Sequence, residues 1–207
     1  SRIGPKFLNA GPGFGGSCFK KDILNLVYLC RHFGLPEVAD YWESVVALNT
    51  WQQHRIARLV VEKLFGTVTG KRLAVLGFAF KADTNDTREA PAIRICRDLL
   101  EEGAQLAIHD PKVAAHQMAR DLQQDEAPQL NALSGTGCWL EAGSVEDAVT
   151  GADAVLVLTE WQQYRNLDWS SLAARMRKPA WVFDARAVAD PEQVRAAGLT
   201  LWRVGDG

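Results

Sequence analysis

The chain has 207 residues, of which 47% are hydrophobic, and its 25 acidic and 23 basic residues give a net charge of −2 and a pI near 6.1. This length and composition predict a globular protein with a substantial core, made of one large domain or of a domain with an extension. The balanced charge gives no electrostatic case for nucleic acid or an anionic membrane as a partner, and no apolar run approaches the roughly 20 residues that a membrane helix needs.

The first feature along the chain is a glycine-rich loop, GPGFGGSCFKKD, which spans residues 11–22 and places Cys18 just before an apolar run. Glycines free the backbone to approach a ligand closely. The apolar run predicts a helix, with Ser17 as its N-cap and Cys18 in its first turn. The positive end of a helix dipole, together with Lys20 and Lys21, favours the thiolate form of this cysteine.

Cys18 is either an ordinary buried thiol or a covalent nucleophile. A structural cysteine needs no flexible loop before it and no cations after it. A nucleophile needs access, a stabilised thiolate and a nearby proton acceptor, for which Asp22 lies one helical turn further on. The sequence context therefore favours the nucleophile.

A long helix is predicted next. Residues 37–65 contain neither Gly nor Pro, which corresponds to a helix of about 43 Å. Apolar residues recur in it near helical spacing, with polar residues between them. Such a helix is either a long core helix or a connector between two domains whose apolar face packs on a second subunit.

From residue 70 onward, short apolar strands alternate with helices, which predicts a Rossmann-like parallel-sheet α/β domain. We expect strands at residues 72–77, 105–109, 154–159 and 180–183, with an edge strand at 199–203, and helices at 92–102, 113–122, 145–149 and 169–176. Residues 123–143 are poorly periodic and predict a loop with at most one short strand. We divide the chain into a cysteine loop with central helices, residues 1–69, and the Rossmann-like domain, residues 70–207.

Polar residues follow three of the predicted strands, where ligands bind in an open parallel sheet. Phe80 and Lys81 follow the first strand, His109 ends the second, and Arg186 follows the fourth. The first strand leads into a single glycine rather than GxGxxG, so a standard dinucleotide fingerprint is absent from the sequence. Residues 81–89 (KADTNDTRE) predict either a solvated loop or an anion site.

The four cysteines show no CxxC spacing and no histidine at metal-ligand intervals. We therefore expect neither a metal site nor a disulfide framework. Free thiols persist in a reducing compartment, which favours a cytoplasmic location.

Three motifs resemble the UDP-glucose 6-dehydrogenase family of nucleotide-sugar dehydrogenases. They are GPGFGGSCFKKD at residues 11–22, LGFAFKADTNDTREAP at 76–91 and FDAR at 183–186. They occur in the expected order and extend over nearly the whole chain. Because the family's N-terminal NAD-binding domain has no counterpart here, the resemblance implies the C-terminal part of an enzyme that uses NAD.

The resemblance also implies roles for individual residues. Cys18 corresponds to the catalytic nucleophile, assisted by Asp22 and Lys21, and Cys18, Lys21 and Arg88 contact NAD. The implied substrate contacts are Arg2, which acts across a subunit interface, and Asn9, Gly11, Phe14, Gly15, Phe80 and Lys81. Two positions depart from the family pattern: Asn9 stands where many relatives carry lysine, and Ala187 where an arginine often follows the last motif.

In the implied reaction, UDP-glucose is oxidised at C6 to UDP-glucuronate, with two NAD reduced and one water consumed. Cys18 attacks the C6 aldehyde, and the resulting thiohemiacetal is oxidised to a thioester that water hydrolyses. We expect the present chain to lack dehydrogenase activity alone, to bind UDP weakly and to form a homodimer through the long helix, with higher oligomers left open.

Two other hypotheses remain. One is a non-catalytic nucleotide-sugar binding or dimerisation module in which Cys18 is a relic; the other is a dehydrogenase for GDP-mannose or a UDP-N-acetylhexosamine. The reactivity of the Cys18 thiol tests the first, and titration with the different nucleotide sugars tests the second.

Overall fold

Two helices precede the sheet in the computed structural model, which describes residues 9–130 and 135–206. Helix α1 spans Phe19–His32 and α2 spans Pro36–Lys63. Pro36 suits the first turn of α2 because its missing N–H would have no partner there. The predicted long helix is thus confirmed, although it begins one residue earlier and ends two residues earlier than expected.

The prediction that Ser17 caps α1 is wrong. Cys18 itself is the N-cap, with φ −95° and ψ −57°, and no side chain caps the helix. The carbonyl of Cys18 accepts the first helical hydrogen bond from the backbone N–H of Asp22 at 2.8 Å. Because the turn already begins at Cys18, the Ser17 hydroxyl does not reach a helical N–H; it lies 3.7 Å from the Cys18 sulfur instead.

Helix α2 takes part in two apolar clusters. Its N-terminal half packs on α1 around Ile23, Val27 and Ala39, with Trp42 at the margin. Its C-terminal half enters the large core through Ile56, Ala57, Val60 and Leu64. One helix therefore holds the α1 segment in a fixed place against the domain that follows.

The remainder forms a six-stranded parallel sheet with helices between the strands, as the sequence predicted. The strands are β1 Arg72–Leu76, β2 Gln105–His109, β3 Cys138–Glu141, β4 Ala154–Val157, β5 Trp181–Asp184 and β6 Thr200–Arg203. The helices are α3 Pro91–Glu101, α4 Ala115–Leu122, α5 Val145–Val149, α6 Gln162–Arg165, α7 Trp169–Arg175 and α8 Pro191–Ala196. The strand order is β3-β2-β1-β4-β5-β6, and every neighbouring pair is parallel.

This order reverses between β1 and β4, and such a switch point opens a crevice at the carboxyl ends of the strands. Gly77 follows β1 with φ +96°, and a Cβ there would collide with the side chain of Thr159 after β4. A glycine is therefore required for the two strand ends to pack this closely. In the described part of the chain, no helix combines the length and the apolar character that crossing a membrane requires.

Candidate functional site

A cavity of about 680 Å³ lies between the glycine-rich loop and the carboxyl ends of the strands. Apolar side chains of the helical pair, such as Ile23 and Trp42, form one wall, and charged side chains that follow β1, β4 and β5 form the other. Six of the residues predicted as substrate contacts line it: Asn9, Gly11, Phe14, Gly15, Phe80 and Lys81. Arg2, the seventh, lies outside the described residues.

Helix α2 holds the first part of the glycine-rich loop. Asn49 accepts a hydrogen bond from the backbone N–H of Phe14 at 2.8 Å and donates one to the carbonyl of the same residue at 3.1 Å. Gln52 donates to the carbonyl of Gly11 at 3.1 Å. A Cβ on Gly13 would lie 2.7 Å from the Asn49 amide oxygen, so only glycine fits this approach.

The second part of the loop is docked on the segment that follows β1. The backbone N–H of Gly16 donates to the carbonyl of Arg88 at 2.7 Å, and a Cβ on Gly16 would lie 3.1 Å from the Phe80 ring. Lys20, in the first turn of α1, pairs with Glu89 at 2.8 Å. The cysteine loop and the Phe80 segment therefore keep a fixed relative position.

Cys18 is exposed, and its two neighbours in the sequence line different cavities, although Cys18 itself lines neither. Phe19 lines the large cavity, whereas Ser17 lines a second one of about 570 Å³. That second cavity also contains Lys21 and Arg88, two of the residues predicted to contact the cofactor. The structure thus brings Lys21 and Arg88 together at a cavity that is separate from the one lined by the predicted substrate contacts.

Arg88 is held by its neighbour Asp86. The guanidinium donates to both carboxylate oxygens, at 2.9 Å from Nε and 2.7 Å from Nη2. This pairing holds the pKa of Asp86 below its usual value. The Arg88 side chain is still 67% exposed, and it lines the second cavity.

Asp110, directly after β2, holds the backbone that leads to Phe80. Its Oδ2 accepts from the backbone N–H of Phe78 at 2.7 Å and of Ala79 at 3.0 Å, and from the indole N–H of Trp161 at 3.2 Å. Its Oδ1 accepts from two N–H groups of its own turn, at 2.9 and 3.1 Å. The negative charge of this buried carboxylate is satisfied by five donors, so its role is to fix loops rather than to contact a ligand.

Three further hydrogen bonds hold the backbone of Ala79 and Phe80. The Thr159 hydroxyl donates to the carbonyl of Ala79 at 2.6 Å, and the backbone N–H of Phe80 donates to the carbonyl of Asp86 at 3.1 Å. Arg186 donates from Nη2 to the carbonyl of Phe80 at 3.0 Å. The segment that presents Phe80 to the cavity is therefore preorganised.

Arg186 is the most buried cation of the cavity, with 17% of its side chain exposed. Burial lowers its pKa, and the nearby carboxylate of Glu160 opposes that shift. Its Nε–H donates to the carbonyl of Leu158 at 2.9 Å and lies 3.2 Å from Glu160 Oε2, which receives no well-aligned hydrogen bond. The charge of Arg186 is thus largely balanced inside the protein.

Asp184, at the end of β5, anchors the turn that carries Arg186. It accepts from the backbone N–H of Arg186 at 3.0 Å and of Ala189 at 2.8 Å. Burial raises the pKa of Asp184 even though these backbone donors favour its charged form. Between them the turn reverses direction at Ala187, which has φ +52°.

Sequence reasoning did not identify Glu160 or Arg165 as residues of the cavity. Glu160 follows β4 by three positions, so the rule that ligands bind beyond strand ends could have indicated it. Arg165 belongs to α6, which has only four residues and gives no periodic signal. Trp161, directly after Glu160, is buried; its indole N–H donates to Asp110 at 3.2 Å, and the ammonium of Lys112 lies 5.7 Å from the centre of its ring.

Residues 1–51 match the central domain of the UDP-glucose/GDP-mannose dehydrogenase family, and residues 74–191 match its UDP binding domain. UDP-glucose 6-dehydrogenase 5 of Oryza sativa subsp. japonica is 49% identical over 213 residues, which cover 99% of this chain and 44% of that protein. UDP-glucose 6-dehydrogenase 1 of Arabidopsis thaliana is 46% identical over the same shares. A solved UDP-glucose dehydrogenase from Pyrobaculum islandicum superposes with a TM-score of 0.71 at 29% identity, covering 97% of this chain and 40% of that one. The chain thus spans less than half the length of these relatives.

Proposed function

This chain belongs to the UDP-glucose/GDP-mannose dehydrogenase family, and from that premise we propose that it is the C-terminal portion of an NAD-dependent enzyme that oxidises UDP-glucose to UDP-glucuronate. One observation carries the proposal: an exposed cysteine lies between Ser17 and Phe19, which line the two cavities, on a loop that is docked against the Phe80 segment. A non-catalytic module would need the nucleotide pocket but not this thiol beside it.

The large cavity is the proposed site of the UDP-sugar. Its volume of about 680 Å³ falls in the usual range of roughly 300–1,000 Å³ for small-molecule sites. The Phe80 ring offers an apolar face, and the ammonium of Lys81 lies 5.4 Å from the centre of that ring. An apolar surface next to a cation suits a base or sugar linked to a phosphate.

The second cavity is the proposed site of the part of NAD nearest the chemistry. Its lining includes Lys20, Lys21 and Arg88 against the single carboxylate of Glu89, so it fits an anionic cofactor. Lys21 and Arg88 would hold NAD there, with Arg88 also paired with Asp86 as Lys20 is with Glu89. NAD, when bound, supplies the acceptor for the hydride.

Cys18 performs the covalent chemistry in this proposal. Its thiolate sulfur attacks the C6 aldehyde and forms a C–S bond; after oxidation the same sulfur holds the acyl group as a thioester until water displaces it. Lys21, three residues later, stabilises the developing oxyanion. Asp22 lies four residues after Cys18 on the same helix face, where its carboxylate polarises the attacking water.

A homodimer through the helical pair is part of the same proposal. All twelve large hydrophobic side chains that are exposed in the described residues lie between residues 19 and 65, and they include Tyr28, Phe33, Tyr41, Leu48 and Trp51. Apolar patches of this kind mark interaction surfaces. Tyr41, Leu48 and Trp51 form the α2 patch. We propose that a second copy of the chain covers this α2 patch.

Protection of Cys18 from alkylation tests the proposed site. The Kd for UDP-glucose is first measured by calorimetry. The chain is then treated with iodoacetamide without UDP-glucose, at a concentration near the Kd and at one well above it, and the labelled peptides are quantified by mass spectrometry. Saturating UDP-glucose should slow labelling of Cys18 at least about fivefold, because the sugar covers the sulfur, while half-buried Cys138 on β3 serves as the internal control.

GDP-mannose and a UDP-N-acetylhexosamine are run in parallel. Equal protection by either would favour the corresponding alternative substrate, and an unchanged Cys18 rate at saturating UDP-glucose would contradict the covalent role. Since part of the relatives' length is not covered by this chain, we expect no NADH formation from the chain alone. Turnover by the 207 residues themselves would refute that expectation.

A further inference from the structure

We propose that Arg165 is a second phosphate-binding residue of the large cavity, acting with Lys81 on the diphosphate of the nucleotide sugar. This inference rests on the proposed function, because it assumes that the cavity takes a nucleoside diphosphate. Arg165 lines that cavity from the last turn of α6. Lys81 lines it from the segment after β1.

Helix α6 is short, but two aromatic side chains fix it. Tyr164 is fully buried, and its hydroxyl donates to the carbonyl of His109 at 3.0 Å and lies 2.9 Å from the ring Nδ1 of the same residue. Since the hydroxyl proton is used on the carbonyl, Nδ1 of His109 carries the proton of that second contact. Trp161, just before the helix, donates to Asp110 at 3.2 Å. Arg165 is therefore mounted on a rigid support despite its exposed side chain.

The same support carries Lys81. Asp110 binds Trp161 and, through the same oxygen, the backbone of Phe78 and Ala79, three and two residues before Lys81. The two cations thus project from segments that share one anchor at the end of β2. The spacing of the two backbone segments is therefore set before a ligand binds, which reduces the entropy cost of binding a diphosphate.

The charges of the cavity also single out these two residues. Within residues 9–130 and 135–206, neither Lys81 nor Arg165 forms an ion pair, whereas Arg186 lies 3.2 Å from the carboxylate of Glu160. The four charged residues of the lining, Lys81, Glu160, Arg165 and Arg186, sum to +2. That value complements a diphosphate group, and the guanidinium of Arg165 suits bidentate contact with its oxygens.

Calorimetric titration of the chain with UDP and with uridine tests this role. Arg165→Ala should weaken UDP binding at least about tenfold, as expected for one charge-assisted phosphate contact, and should leave the affinity for uridine unchanged. Arg165→Lys should be intermediate because it keeps the charge but loses the planar fork. Arg195→Ala is the matched control, since Arg195 is also an exposed arginine in the last turn of a short helix, α8, away from the cavity.

The outcomes separate the two proposals. If the unmodified chain binds UDP and Arg165→Ala binds it equally well, the inference is wrong and the proposed function stands. If uridine and UDP lose affinity together, Arg165 contacts the nucleoside and not the phosphates, which also overturns the inference. If the unmodified chain binds no UDP, the proposed function fails and the inference fails with it. Thermal unfolding of each variant confirms that the exposed substitutions leave the fold intact.

Discussion

Ala187 is one of five described non-glycine residues whose backbone has a positive φ. Its φ of +52° lies in the left-handed region, which costs an L-residue roughly 1–2 kcal/mol. Glycine removes the Cβ but has more freedom in the unfolded chain, which offsets about 0.5–1 kcal/mol of the gain. We expect Ala187→Gly to raise the free energy of unfolding by about 0.5 kcal/mol, measured by urea denaturation with an unchanged m-value.

Ala196→Gly is the control for this substitution. Ala196 is the last residue of α8. Replacing a helical alanine by glycine should lower the free energy of unfolding by about 0.5–1 kcal/mol. Opposite signs at the two positions would support backbone strain at Ala187. Destabilisation at both would show that the turn after β5 tolerates alanine without cost.

At the residue scale, the sequence predicted the parts of the candidate site that local motifs encode. Cys18, Phe80 and Lys81 could be singled out because a glycine-rich loop and a strand end mark them in the sequence. Arg165 could not, since it enters the cavity only through tertiary contacts of Tyr164 with His109. The roles of all these residues stay predictions until the labelling and binding experiments are done.

At the scale of elements, the alternation of apolar strands and helices predicted the sheet well. The bounds of β2 and α5 agree with the sequence expectation, and β3 is the short strand allowed for in residues 123–143. Helices α6 and α8 were not predicted. Both have six residues or fewer, too short to show a helical period, and α8 depends on the Asp190 carboxylate that caps its first turn.

Asp110, directly after β2, binds both the segment that follows β1 and Trp161, which precedes α6. We therefore expect its replacement to affect stability and UDP binding together. In Asp110→Asn an amide N–H₂ would face backbone or indole N–H groups that now point at a carboxylate oxygen. Leaving such buried donors unsatisfied should cost about 2 kcal/mol of unfolding free energy. Because the freed backbone leads to Phe80 and Lys81, affinity for UDP should also fall, at a temperature where the variant is fully folded.

Asp153→Asn is the matched control for Asp110→Asn. Asp153 accepts from the backbone N–H of Arg72 at 2.9 Å and from the Arg177 guanidinium at 2.8 Å. It directly precedes β4 and so lies at the amino ends of the strands, opposite the cavity. It should lose stability with no change in UDP affinity. Equal loss of UDP affinity in both variants would mean that Asp110 acts through general stability and not through the position of the loop.

At the scale of the whole molecule, the surface is divided. Among the described residues, all the exposed large hydrophobic side chains lie in the part of the chain that precedes the sheet, and none lies in the Rossmann-like domain. The net charge of −2 gave no sign of this division. The division becomes visible only when the exposed faces of the helices are assigned.

The α2 patch gives the last prediction. Tyr41, Leu48 and Trp51 are 65%, 63% and 49% exposed, and their spacing of seven and three residues puts them on one face of the helix. If this face packs on a second copy, a carboxylate at its centre would be buried without a partner and would cost several kcal/mol per dimer. Sedimentation equilibrium should therefore show a dimer for the unmodified chain and a monomer for Leu48→Glu. Ala196→Glu introduces the same charge on α8 and should stay dimeric, whereas a monomeric unmodified chain would exclude α2 as a self-sufficient interface and assign the patch to contacts within a longer protein.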